Sequence, residues 1–255
     1  MFSYHEDNVW LKCLESRPSS KARVFCFPPA GGGANVFLSW PNDLPETVEV
    51  YGLQLPGRGE RFLDPPEVDM SAIVNGIVAE LEPLTDRPYV FFGHSLGALI
   101  AFDVARALRR RGVRLPLHLI VSAYRAPDLP DTDPPLHQLP DQEFISELAR
   151  LGGMPDEILQ HKEMMELLLP VLRADFTLHE TYVYTHEAPL PWAITACGGM
   201  LDKDVQRETL EGWRRQTTGG FELRMYPGGH FFVKHEQRAL VEIAVSALQA
   251  GQAHI

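Results

Sequence analysis

Short apolar runs alternate along the chain with longer stretches in which apolar residues recur every three or four positions. Continuous apolar runs are typical of strands covered on both faces of a parallel sheet, and the three- to four-residue period is typical of amphipathic helices. The runs predict strands at Arg23–Phe27, Val48–Leu53, Tyr89–Phe92, Leu117–Ser122, Ala193–Cys197 and Phe221–Tyr226. The periodic stretches predict helices at Met70–Leu84, Leu96–Arg111, Val205–Thr217 and His235–Leu248. This alternation indicates an α/β fold with a mostly parallel central sheet flanked by helices.

One connection between predicted strands is far longer than the others. About 70 residues separate Ser122 from Ala193, whereas a parallel crossover needs only about a dozen. The segment begins with a stretch rich in proline and aspartate and continues with helical patterns at Asp141–Leu151, Pro155–Leu159 and Lys162–Tyr184. We therefore predict one domain, 1–255, in which residues 126–188 form an inserted helical lid. Extra helices packed at the edge of the sheet are the alternative.

Composition excludes several classes of protein. The 255 residues include 23 Lys and Arg against 34 Asp and Glu, so the formal net charge is −11. This charge argues against a general nucleic-acid binder, which needs clustered basic residues. No apolar run is long enough for a membrane-spanning helix, and Glu6 and Asp7 stand where a secretory leader would be basic. Three widely separated cysteines predict neither disulfides nor a zinc site, which favours a soluble cytoplasmic protein.

A serine lies between two glycines at the junction of a predicted strand and a predicted helix, in the segment Gly93-His94-Ser95-Leu96-Gly97. In this G-x-S-x-G pattern the glycines relieve crowding in a tight turn that presents the serine at the N-terminus of the helix. The pattern therefore predicts Ser95 as a nucleophile. An ordinary turn in which Ser95 caps the helix is the alternative.

A nucleophilic serine needs a histidine base and a carboxylate that orients the base. In α/β-hydrolases the acid and then the histidine follow the serine along the chain. His230 follows the last predicted strand in a glycine-rich turn and is the candidate base. Asp202 and Asp204 both follow the preceding strand. We prefer Asp202 for its Gly-x-x-Asp spacing from Gly199, while Asp204 stays open as the alternative acid or as the cap of the next helix.

Such a hydrolase also needs two backbone N–H groups that stabilise the negative oxygen formed at the substrate carbonyl. The amide of Leu96, directly after the nucleophile, is one candidate. Ala30 is the other, because Pro28 and Pro29 carry no N–H and Ala30 is the first free amide after the strand Arg23–Phe27. A purely structural turn is the alternative, and the glycine spacing does not fit a phosphate-binding loop. No metal-ligand spacing is present in the sequence, so we expect neither metal nor cofactor.

Several longer motifs resemble those of one family. They are Val24-Phe-Cys-Phe-Pro-Pro-Ala-Gly-Gly32, Gln54-Leu-Pro-Gly-Arg-Gly-Glu-Arg61, Phe91-Phe-Gly-His-Ser-Leu-Gly-Ala98, Leu169-Pro-Val-Leu-Arg-Ala-Asp-Phe176 and Gly228-Gly-His-Phe-Phe232. Together they resemble the stand-alone type II, or editing, thioesterases of polyketide and non-ribosomal peptide biosynthesis. The resemblance implies an α/β-hydrolase fold with a mobile helical lid. It also implies a catalytic triad of Ser95, Asp202 and His230, with an oxyanion hole formed by Ala30 and Leu96.

The resemblance further implies a substrate. Enzymes of this family hydrolyse acyl thioesters on the phosphopantetheine arm of an acyl or peptidyl carrier protein, here in polyketide, prodiginine-like or non-ribosomal peptide biosynthesis. A carrier-independent carboxylesterase or lipid hydrolase with the same triad is the alternative, and a non-catalytic binding module is a third. We expect a monomer that binds neither nucleic acid nor membrane.

Apolar residues of the predicted lid recur at roughly helical spacing and are candidates for acyl-chain binding. They are Met154, Met165, Leu168, Leu172 and Phe176. Packing onto the body of the domain is the alternative. We also expect Arg173 and Asp175 to hold the lid through a salt bridge. Carrier proteins of this kind are typically acidic, so docking requires a local basic patch, for which the densest candidate is Arg109–Arg111.

Overall fold

The computed structural model describes residues 9–131 and 134–252. The described residues form a sheet whose strands are β1 (Leu11–Cys13), β2 (Ala22–Phe27), β3 (Val48–Leu53), β4 (Tyr89–His94), β5 (His118–Ser122), β6 (Ala193–Gly199) and β7 (Phe221–Tyr226). The strand order is β1-β3-β2-β4-β5-β6-β7, with β1 antiparallel to β3 and every other pair parallel. Glu6 and Asp7, on which the expectation about a leader depends, lie outside the described residues.

The described residues also form seven α-helices. They are α1 (Met70–Leu81), α2 (Leu96–Arg111), α3 (Asp141–Leu151), α4 (Asp156–Leu159), α5 (Lys162–Glu180), α6 (Arg207–Glu211) and α7 (Gln237–Gln252). Because side chains alternate across a strand, Phe25 and Phe91 pack with α1 and α2 on one face. Val24 and Val90 pack with α7 on the other. The inner parallel strands, such as β4, are therefore apolar on both sides, which explains the continuous apolar runs in the sequence.

The predicted α/β architecture is confirmed, and the differences lie at the edges of elements. All six predicted strands are present, and α2 and α3 begin and end at the predicted residues. The edge strand β1 was missed, because three residues are too few to show a periodic pattern. The predicted helix Val205–Thr217 is wrong as a single element, since this region contains α6 and a separate 3-10 turn, Gly212–Gln216. The last helix begins at Gln237, two residues later than predicted.

Helices α3, α4 and α5 lie between β5 and β6, and we call them the helical insertion. They share an apolar cluster of their own, separate from the two clusters that flank the sheet, and Ala30 of the body packs against it. The buried members of that cluster are Phe144, Leu148, Met165, Leu169, Leu172 and Phe176. The insertion therefore sits over the loop that follows β2. Within the described residues, no helix has the length and apolar character needed to cross a membrane.

Candidate active site

Three side chains singled out in the sequence stand at the carboxyl edge of the sheet. Ser95 directly follows β4, Asp202 lies three residues after β6, and His230 lies four residues after β7. Since β4 to β7 run parallel in adjacent positions, the turns that leave them meet at one edge. This edge is where open α/β sheets bind their ligands.

The turn that holds Ser95 is strained. Ser95 has φ 54° and ψ −125°, a backbone conformation that residues other than glycine rarely adopt. A Cβ atom at Gly93 would overlap the carbonyl oxygen of Gly97, and a Cβ atom at Gly97 would overlap the carbonyl oxygen of Phe27. Both glycines are therefore required on steric grounds, as the sequence predicted. Their absence of side chains lets the first turn of α2 lie directly against the end of β2.

Ser95, His230 and Asp202 are joined by hydrogen bonds. His230 Nε2 lies 3.1 Å from Ser95 Oγ, and His230 Nδ1 lies 2.9 Å from Asp202 Oδ2. When Nδ1 carries the proton and donates to the carboxylate, Nε2 is free to accept the proton of the serine hydroxyl. The arrangement matches the order serine, base and orienting acid that nucleophilic catalysis requires.

The contacts of Asp202 and Asp204 decide which of the two aspartates lies next to His230, a choice that the sequence left open. Asp202 Oδ1 accepts the backbone N–H groups of Asp204 and Val205, at 3.0 and 3.1 Å. Burial by itself would raise the pKa of Asp202, but the hydrogen bond and charge of His230 and the two backbone donors outweigh it, so the pKa is lowered. Asp204 instead turns toward the insertion and pairs with Arg150 at 3.0 Å. Asp202, and not Asp204, therefore contacts the histidine.

A second histidine lies behind the first. His94 is only 1% exposed, its Nδ1 lies 2.9 Å from Ser122 Oγ, and its ring centre is 5.5 Å from that of His230. Burial, followed by the nearby charges of His230 and Lys234, lowers the pKa of His94 well below its usual range. His94 is therefore neutral at physiological pH and adds no positive charge next to His230.

The two amides predicted to bind the oxyanion are both open. Among the described residues, neither the N–H of Ala30 nor that of Leu96 donates to another protein group. Gly32 N–H donates to Pro29 O at 2.9 Å, which turns the loop after β2 back on itself. Ala30 and Ser95 line the same cavity. The two amides are thus available to a ligand beside the serine.

Two cavities meet at Ser95 and His230. The larger, about 670 Å³, extends toward the polar residues Arg125, Glu147 and Arg150. The smaller, about 250 Å³, is lined mainly by apolar side chains, among them Val36, Leu148, Leu151, Met154, Leu172 and Phe231. Leu151 and Phe176 line both cavities.

The structure divides the five residues predicted to bind the acyl chain. Met154, Leu172 and Phe176 line a cavity next to Ser95. Met165 and Leu168 instead lie in the apolar cluster of the insertion, where packing accounts for them. Helical spacing alone did not separate these two groups, because the members on α5 share one apolar stripe of the helix and belong to the same cluster, and only those near its C-terminal half reach the cavities.

The predicted salt bridge between Arg173 and Asp175 is wrong. Arg173 pairs with Asp141 at the start of α3, at 2.5 Å. Asp175, two residues further along α5, points to the body and pairs with Arg58. Side chains two positions apart lie on different faces of a helix, so a direct pair is geometrically disfavoured.

The basic run at the end of α2 lies far from the cavities. Arg109 is thirteen residues beyond Leu96, which corresponds to about 20 Å along the helix axis. Arg109 and Arg110 bind the Glu187 carboxylate at 2.7 and 2.6 Å. Glu187 carries one negative charge and also contacts Arg106, so it offsets only part of this positive charge, and Arg109–Arg111 stays a prediction for the docking patch.

Sequence reasoning missed several residues that surround the serine and histidine. The Phe231 ring centre lies 5.0 Å from that of His230, and the Lys234 ammonium lies 5.1 Å from the Phe231 ring. The family-like segment Gly228–Phe232 contains Phe231 and was the available signal. Within the described parts of the chain, no cluster of His, Cys, Asp and Glu could hold a metal ion.

Comparison with known proteins agrees with this geometry. The family model described as the thioesterase domain matches residues 22–248. The gramicidin S biosynthesis protein GrsT of Aneurinibacillus migulanus is 41% identical over 242 residues, which cover 95% of this chain and 94% of that protein.

Solved structures extend the similarity to the fold. The type II thioesterase BorB from the borrelidin biosynthetic cluster is 31% identical, with a TM-score of 0.86 over 94% of this chain and 98% of that one. RedJ, a thioesterase from the prodiginine pathway of Streptomyces coelicolor, is 36% identical, with a TM-score of 0.84 over 91% and 87%. The chain therefore belongs to the thioesterase family, as a serine hydrolase of thioester bonds with the α/β-hydrolase fold of the type II thioesterases.

Proposed function

We propose that this thioesterase hydrolyses acyl thioesters carried on the phosphopantetheine arm of acyl or peptidyl carrier proteins in polyketide or non-ribosomal peptide biosynthesis. The observation that carries the proposal is the hydrogen-bonded path from Ser95 through His230 to Asp202, at the meeting point of two cavities. The similarity to a gramicidin S biosynthesis protein and to type II thioesterases supports the substrate class.

In the first half-reaction, His230 Nε2 accepts the Ser95 proton as the serine oxygen attacks the thioester carbonyl. Asp202 stabilises the imidazolium that forms, and the amides of Ala30 and Leu96 donate to the oxyanion. The carbon–sulfur bond then breaks, and the departing pantetheine sulfur takes the proton from His230. The product is an ester between the acyl chain and Ser95.

In the second half-reaction, water replaces the thiol. His230 accepts a proton from a water molecule while the water oxygen attacks the acyl–Ser95 carbonyl. The amides of Ala30 and Leu96 stabilise the second oxyanion. The bond to the serine oxygen breaks, and Ser95 recovers its proton from His230. A free carboxylic acid leaves, and the enzyme returns to its starting state.

The two cavities suit the two halves of such a substrate. The smaller, apolar cavity next to Ala30 and Leu172 fits an acyl chain, and the larger cavity with Arg125 and Glu147 fits the amide groups of a pantetheine arm. The insertion acts as a lid over both, because α3 and α5 supply wall residues to each.

We also propose that the protein works as a monomer in the cytoplasm. Light scattering after size-exclusion chromatography measures the oligomeric state.

Turnover of two substrates tests the proposal. We expect wild-type enzyme to hydrolyse an acetyl or propionyl carrier-protein thioester with a kcat/KM well above that for the matching p-nitrophenyl ester. Ser95→Ala should lose both activities, by about 10⁴-fold or more. Ser19→Ala, at an exposed position remote from the site, is the control and should retain both. Full activity of Ser95→Ala contradicts the mechanism, whereas equal use of both substrates supports a carrier-independent esterase.

A further inference from the structure

A buried carboxylate from the insertion reaches the loop that follows β2. Asp175 on α5 is 0% exposed, and its Oδ2 accepts the backbone N–H of Gly31 at 2.7 Å. Gly31 directly follows Ala30, one of the two amides left open beside Ser95. This hydrogen bond joins residues 144 positions apart and links the insertion to the oxyanion loop, Pro29–Gly32.

Arg58 from the body holds the same carboxylate from the other side. Its Nη1 and Nη2 donate to the two oxygens of Asp175 at 2.5 and 2.7 Å, a bidentate pair. Nη1 also lies 3.1 Å from the Gly32 carbonyl oxygen, and Nε donates to the Pro56 carbonyl oxygen at 3.2 Å. Arg58 thereby offsets the buried negative charge and binds the oxyanion loop directly.

The hydrogen bonds fix the direction of the Ala30 amide. The carbonyl of Pro29 and the N–H of Ala30 belong to one planar trans peptide, so they point in opposite directions. Gly32 N–H holds the Pro29 carbonyl, Arg58 holds the Gly32 carbonyl, and Asp175 holds the Gly31 N–H. With these groups anchored, the N–H of Ala30 is turned outward, and the N–H of Gly31 is not available to a ligand.

Packing supports the same contact. Gly31 has φ +73°, and a Cβ atom there would lie 2.7 Å from Leu172 Cδ2. Leu172 and Asp175 are three residues apart, so they lie on one face of α5. One face of this helix therefore presents both an apolar group and a carboxylate to the glycine of the oxyanion loop.

We propose that Asp175, oriented by Arg58, is a positioning residue that aligns the Ala30 amide in the oxyanion hole, so that the hole is complete only when α5 is seated on the body. The inference rests on the proposed role of Ala30 in catalysis. It makes the insertion part of the catalytic apparatus as well as the wall of the cavities. Neither Arg58 nor Asp175 lines the two cavities that meet at Ser95.

A matched pair of double variants separates positioning from stability. Single substitutions would leave one buried charge without its partner, which is strongly destabilising, whereas removal of both charges is often tolerated. R58M/D175N keeps an amide oxygen that can accept the Gly31 N–H, and R58M/D175L removes it at similar volume. Melting temperatures of the two double variants show whether both are folded.

We expect R58M/D175L to have a kcat for a p-nitrophenyl ester about 10- to 100-fold below that of R58M/D175N, because loss of a whole oxyanion donor costs about 10²–10³. KM should change little, and a trifluoromethyl ketone that forms a tetrahedral adduct should bind more weakly by a similar factor. Equal kcat and equal inhibitor binding in two folded variants overturn the inference.

The experiment gives different results for a failure of this inference and for a failure of the proposed function. The p-nitrophenyl ester requires no carrier protein, so a wrong carrier assignment leaves the comparison intact. Ser95→Ala is measured alongside, and its inactivity establishes that the serine mechanism operates. If R58M/D175L does not fold, R58M/D175A, which also removes the acceptor for the Gly31 N–H, takes its place. A kcat about 10-fold or more below that of R58M/D175N supports positioning, and equal kcat values in the two folded variants overturn it.

Discussion

The body of the domain and its helical insertion contribute to the active site in different ways. In the body, Ser95, Asp202 and His230 each occupy a separate turn at the end of a parallel strand, and each turn has its own glycines. The insertion contributes Leu172, Asp175 and Phe176 from one face of a long helix. The three side chains are thus held by local turns that the sheet brings together, whereas the oxyanion loop is contacted by Asp175 from one distant helix.

The largest expected effect is the loss of kcat when one of the two aspartates after β6 is replaced. Asp202→Asn should lower kcat by about 10⁴, because an amide cannot hold His230 in the required tautomer. Asp204→Asn is the matched control and should change kcat by no more than about two- to five-fold, since it removes an exposed pair with Arg150. Steady-state hydrolysis of a p-nitrophenyl ester measures both, and similar losses in the two variants contradict the assignment.

A pair of glycine substitutions compares the packing of the two regions. Gly97→Ala should reduce the free energy of unfolding by about 3 kcal/mol, because the new Cβ overlaps the backbone at Phe27. Gly152→Ala, at φ +71° after α3 with nothing within 4 Å, should lose only about 1 kcal/mol from backbone strain. Urea unfolding curves measure both changes. Equal losses would show that the turn at Ser95 adapts to the new methyl group and that its close contact with Phe27 is not a constraint.

The smallest effect is on the acid stability of the body. The pKa of Asp202 is lowered in the folded state, and its unfolded value is about 3.9. Its contribution to stability is therefore complete above the unfolded pKa and is lost as the pH falls through the folded pKa. Asp202→Asn should show a smaller fall in melting temperature between pH 7 and about pH 3.5 than wild type. An unchanged pH dependence would mean that other carboxylates dominate acid unfolding.

Much of the body could be predicted from the sequence. Ser95 and His230 could be identified because glycines beside them mark turns at the ends of apolar strands. Each such turn is recognisable from a short segment of consecutive residues. The choice between Asp202 and Asp204 could be favoured but not fixed. It depends on which carboxylate reaches His230, 28 residues away, and the structure places Asp202 there at 2.9 Å.

The insertion was less accessible to sequence reasoning. Its location follows from the length of one connection, and α3 begins and ends as predicted. The predicted partner of Asp175 was wrong, because the actual partner, Arg58, is 117 residues away in the sequence and the nearby Arg173 carries a suitable charge. The apolar period of α5 could not separate Leu172, which lines the cavity, from Met165, which packs within the insertion.

The sequence alone determined the parallel sheet, the strand-to-helix turn at Ser95 and the identity of the family. The sheet and the turn depend on short-range sterics and on the apolar period of a few consecutive residues. The family was indicated by the resemblance of several motifs along the chain. Tertiary structure decided the acid that orients His230, the division into two cavities and the contact of Asp175 with Gly31. Each of these depends on groups brought together from distant parts of the chain, where direction and distance to within an ångström determine the chemistry.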